Sequence, residues 1–60
     1  MISRKDHNEM VLRGDTKPRV VNFGSFERPQ YVAWTPVWEG PPRPDYAAAV
    51  ADLRDKAKSI

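Results

Sequence analysis

Proline placement limits what this chain can fold into more than any other feature. The stretch from Tyr31 to Tyr46 holds both tryptophans, both tyrosines and four of the six prolines. Proline fixes φ and lacks a backbone N–H, so no helix can run through this stretch. The large rings therefore sit on extended chain. They are either the central packing strand or a rigid, ring-bearing surface for a partner.

The choice matters because little else can build a core. Sixty residues make one domain at most, and such a domain buries only about 60% of its unfolded surface. Chains of this size lean on disulfides, a metal or a partner. Cysteine is absent and His7 is the only histidine, which excludes disulfides, thiolate metal sites and a multi-histidine site within one chain. Eighteen residues, Met1 included, are apolar and larger than alanine. They fill one thin core layer and leave none for an enclosed substrate pocket. With no cofactor motif present, neither a cofactor nor a metal is expected.

The formal charge is +2 and the signs are mixed along the chain. Residues 1–20 carry five bases against three acids, 21–42 one against two, and 43–60 four against three. A nucleic-acid binder normally shows a one-sided basic stripe, so the basic isoelectric point is weak support for that role. No apolar run approaches the ~18–20 residues that span a bilayer, and the polar N-terminus has no signal-peptide core. The expectation is a complete small gene product, cytoplasmic and away from membranes.

Along the chain, residues 1–8 read as a mobile polar tail and residues 9–60 as a single small domain. Strands are expected at about 10–13, 19–23 and 30–35. Arg13-Gly-Asp-Thr-Lys-Pro18 is read as the turn of a hairpin between the first two. Gln30–Thr35 combines aromatic and β-branched residues between Pro29 and Pro36, the strongest strand signal in the chain. A helix is expected over about 44–58, opened by Pro44 and Asp45. Tyr46, Val50, Leu53, Ala57 and Ile60 form its apolar seam. The expected fold is α+β, a small antiparallel sheet of two or three strands with the C-terminal helix across it. Phe23, Val32, Trp34, Val50 and Leu53 would centre the core. The alternative is a largely irregular chain that orders only on a larger assembly.

No constellation points to catalysis. His7 lies among Asp6, Asn8 and Glu9 and reads as a solvated side chain rather than a general base. Asp52 and Asp55 share a helix face with Arg54, Lys56 and Lys58, which reads as a solvated face rather than a paired-carboxylate site. Arg13-Gly-Asp15 reads as turn chemistry rather than an adhesion tripeptide. Pro41-Pro-Arg-Pro44 reads as a stiff lead-in to the helix, although its spacing also fits polyproline recognition.

Trp34 lies within a strand and is assigned to the core. Pro36 denies its strand a backbone donor, so the strand ends there or continues as an edge, and Trp38 follows where the chain should be leaving the sheet. Together with Pro41, Pro42 and Arg43 it would form a ridge for a partner, since tryptophan anchors interfaces at little entropic cost. Arg13, Lys17 and Arg19 are the candidates for phosphate contacts. The reading is a small non-enzymatic accessory protein that binds another protein, such as a phage-type modulator of host machinery or a minor subunit of a larger complex. The second reading is a small nucleic-acid-binding or ribonucleoprotein component.

Overall fold

The computed structural model describes residues 2–58. Their order is β1 (Ile2–Ser3), α1 (Arg4–Leu12), β2 (Arg19–Asn22), β3 (Tyr31–Thr35), β4 (Trp38–Glu39) and α2 (Tyr46–Lys58). The architecture is α+β, with the C-terminal helix as expected. The sheet is larger than two or three antiparallel strands. Four strands lie in the order β1-β2-β3-β4, with β1 parallel to β2 and the other pairs antiparallel.

The N-terminal third differs most from the sequence reading. The region read as a tail is a short strand and a helix, and 10–13 is the end of that helix rather than a strand. Ser3 caps α1, its hydroxyl accepting from the Asp6 N–H at 3.3 Å. This satisfies one of the orphan donors of the first turn. The Gly-Asp signal that read as a hairpin turn is the helix stop. Gly14 sits at φ +87°, its N–H donates to the Val11 carbonyl at 3.0 Å, and the Asp15 N–H donates to the Met10 carbonyl at 2.9 Å. That pattern is a Schellman closure, which needs a left-handed residue best supplied by glycine. Helix α1 and its following loop form the crossover that parallel neighbours require.

Strands β2 and β3 fall within a residue of the expected 19–23 and 30–35. Arg19 pairs with Trp34 and Val21 with Val32, so these four share one face, joined by Ile2 opposite Val21. Val20, Ala33 and Tyr31 point to the other face. Helix α1 covers the first face, where the His7 ring meets Trp34 edge-on with centroids 4.6 Å apart. Helix α2 covers the second, where Tyr46 meets Tyr31 at 5.7 Å. The sheet is therefore buried on both sides, and Val20, Val21, Val32 and Ala33 are all buried. Val32 and Trp34 were expected to pack under the C-terminal helix, but they pack under α1.

Helix α2 starts two residues later than expected. Asp45 is its N-cap, with the carboxylate accepting from the Ala47 N–H at 3.2 Å. The helix is also rotated from the expected seam. Ala49 is fully buried, Val50 and Leu53 are half-buried, and Tyr46 and Ala57 are exposed. Ala33, on the face of the sheet that α2 covers, is fully buried as well. Ile60 lies outside the described residues.

Candidate partner-binding surface

The prolines after β3 do not carry the chain away from the sheet. Pro36 and Val37 form a turn, and Trp38 comes back to pair with Thr35 as the edge strand β4. The Thr35 hydroxyl donates to the Trp38 carbonyl at 3.1 Å and holds the turn closed. In a fully extended chain Trp34 and Trp38 would share a side. The turn places Trp38 on the Thr35 face, under α2, and leaves Trp34 under α1.

Beyond Glu39 the edge continues irregularly. The Gly40 N–H donates to the Ala33 carbonyl, and Arg43 exchanges both backbone bonds with Tyr31, all at 2.8 Å. Pro41 and Pro42 fall between these anchors and are exposed. Neither has an N–H to offer, so this edge is poor at recruiting another strand. Tyr31 pairs with Arg43 rather than Pro42, so the segment carries one extra residue between its two anchors, and it is stiffened by the prolines and tethered at both ends.

Trp38 is half-buried and lies over Gly40. A Cβ on Gly40 would come 2.9 Å from the Trp38 Cη2, so glycine is what lets the ring lie down. The Lys56 ammonium of α2 stands 5.4 Å from the indole centroid, within cation–π range. Trp38 and Pro41 line an open groove of about 330 Å³ with Asp52, Asp55 and Lys56. Arg43 is exposed, and its guanidinium grips Asp52 with two hydrogen bonds of 2.8 and 3.2 Å. That bond raises Arg43 above the usual guanidinium value. Pro42 and Arg43 line a second concavity with Arg28, Pro29 and Pro44. The four ridge residues are therefore contiguous but face two neighbouring hollows.

The three bases assigned to phosphate contacts are not equivalent. Arg13 and Lys17 are exposed. Arg19 is buried and turned inward. It pairs with the Asp15 carboxylate at 2.8 Å, donates to the Asp15 and Lys17 carbonyls at 3.0 Å, and lies 5.0 Å from the Trp34 centroid. A guanidinium so occupied cannot also bind a backbone phosphate.

Two features escaped the sequence reading. His7 is buried rather than solvated, between Trp34 and the Phe23 ring at 6.0 Å. Ser3 and Asp6 at helix-capping spacing were the signal for α1, and hence for an inward-facing position one turn on. Phe26 is 98% exposed on a loop bound by its own hydrogen bonds. The Asn22 side-chain oxygen accepts from the Gly24 and Gln30 N–H groups at 2.8 and 3.1 Å, and the Ser25 hydroxyl accepts from the Arg28 N–H at 3.0 Å. No periodicity marks such a ring as exposed.

Among the described residues, no cluster of three or more histidine, cysteine or acidic side chains could hold a metal, and no helix is long and apolar enough to cross a membrane. No protein-family model, curated protein or solved structure matches the chain.

Proposed function

We propose that this is a small, non-enzymatic, cytoplasmic accessory protein that acts by binding another protein through the segment Trp38–Arg43. The observation that carries the proposal is the held indole of Trp38, packed over Gly40 on one side and open to a groove on the other. A ring fixed before binding loses little entropy when a partner covers it. In mechanism, an apolar side chain of the partner enters between the indole and Pro41. Asp55, exposed at the groove, accepts a hydrogen bond from the partner. The exposed prolines add contact area without mobile side chains. A modulator of host machinery and a minor subunit of a complex both fit this mode of action.

Affinity capture of the intact protein from its native cell, with nuclease treatment, tests the proposal. Pro41→Ser with Pro42→Ser should abolish capture of a nuclease-resistant partner while leaving the circular dichroism spectrum unchanged. Capture that disappears with nuclease, and that depends on Arg13 and Lys17, would favour the nucleic-acid reading instead.

A further inference from the structure

We propose that His7 is an acid-sensitive latch for α1, and that its protonation releases this helix while the β2–β3 hairpin and α2 stay assembled. His7 is the one buried side chain of α1, so the docking of the helix is concentrated on this ring. Its Nδ1 lies 3.4 Å from an Arg19 guanidinium nitrogen. Arginine offers only donors, so Nδ1 must be the unprotonated nitrogen. Adding a proton there turns a hydrogen bond into two facing donors and places a second cation beside the first. Arg19 cannot swing away, because Asp15, two carbonyls and the Trp34 face hold it.

The charged groups around the ring come from several elements. Helix α1 itself carries Arg4, Lys5, Asp6 and Glu9, and Arg4 lies 5.8 Å from the Phe23 ring that His7 also touches. Strand β2 brings Arg19, the loop before it brings Asp15, and β4 brings Glu39, which lines the same hollow as His7. Burial and then Arg19 hold His7 below its ordinary value of 6.5, against a smaller opposing pull from Glu39. The released helix has an exposed histidine that titrates near 6.5, so the released form takes up the proton first. Docking is thus complete above that value and is lost as the pH falls below it. Between the two values the docked-to-released ratio falls up to about tenfold per pH unit. A nine-residue helix is marginal in water by itself, so release means melting of α1. It uncovers Phe23, Val32 and Trp34 together.

The test is a nuclear magnetic resonance titration of the whole protein from about pH 8 to about pH 5. It follows the His7 ring and the Cα shifts of every element. The ring should titrate below 6.5, and residues 4–12 should lose helical shifts with the same midpoint. Residues 31–35 and 46–58 should hold theirs. His7→Gln should abolish the transition. A ring that titrates at or above 6.5 would overturn the latch. So would helices that melt together, or an α1 transition that persists in His7→Gln.

Discussion

Arg19→Ala tests whether the inward guanidinium is a structural keystone. The substitution removes the 2.8 Å ion pair with Asp15, two carbonyl hydrogen bonds at 3.0 Å and the contact with the Trp34 face. Breaking one side of a buried pair costs about 3–5 kcal/mol. The Asp15 side chain keeps 31% exposure, so water recovers part of its solvation, and the expected cost is about 2–4 kcal/mol. A chain of this length has about 3–9 kcal/mol to lose. Urea unfolding followed by far-ultraviolet circular dichroism measures the difference. Arg13→Ala and Lys17→Ala are the controls, because both side chains are exposed on the same loop and should stay within about 0.5 kcal/mol of wild type. An Arg19→Ala protein as stable as these controls would refute the keystone and return Arg19 to the set of free cations.

Ala49→Leu should destabilise by about 1–3 kcal/mol, because Ala49 is fully buried on α2. The half-buried Leu53 should cost less when cut to alanine, about 1–2 kcal/mol, and thermal melting of the pair tests the rotation of α2. Gly24→Ala should cost about 2 kcal/mol or more, since its Cβ would meet the Arg28 carbonyl oxygen. Gly14→Ala meets no atom within 4 Å, and only its positive φ should cost, about 1–2 kcal/mol. Trp34→Ala and Trp38→Ala should both lower the melting temperature, because both rings lie in the sheet, but only Trp38→Ala should also abolish partner capture.

Strands β2 and β3 and the C-terminal helix were legible in the sequence because each carries its own local signal. Alternating β-branched and aromatic residues mark the strands, and Asp45 before an alanine run marks the helix. What failed was anything set by non-local contact. Met10-Val-Leu12 has strand-like residues, yet the Ser3 cap and the Gly14 stop make it the last turn of α1. In α2 the fully buried position is Ala49, one of five alanines in the helix, and nothing local in the sequence shows which alanine faces the sheet. Pro36 was read as an exit from the sheet, but proline also suits a turn, and the register of Trp38 against Thr35 appears only once that turn closes. In the ridge, Trp38, Pro41, Pro42 and Arg43 were readable as neighbours on stiff chain. The groove was not, because Asp52, Asp55 and Lys56 come from α2. Arg19 looked like its neighbours Arg13 and Lys17, and nothing in a run of bases shows which one folds inward.

The most direct test of the docking account is site-specific photocrosslinking in the native cell. A benzoyl-phenylalanine in place of exposed Pro42 probes the ridge. The same group in place of Leu12, 88% exposed on the α1 layer, probes the opposite face. The account predicts a nuclease-resistant protein adduct from position 42 that excess wild-type protein competes away, and none from position 12. An adduct from position 12 alone, or one from position 42 that consists only of nucleic acid, would contradict it.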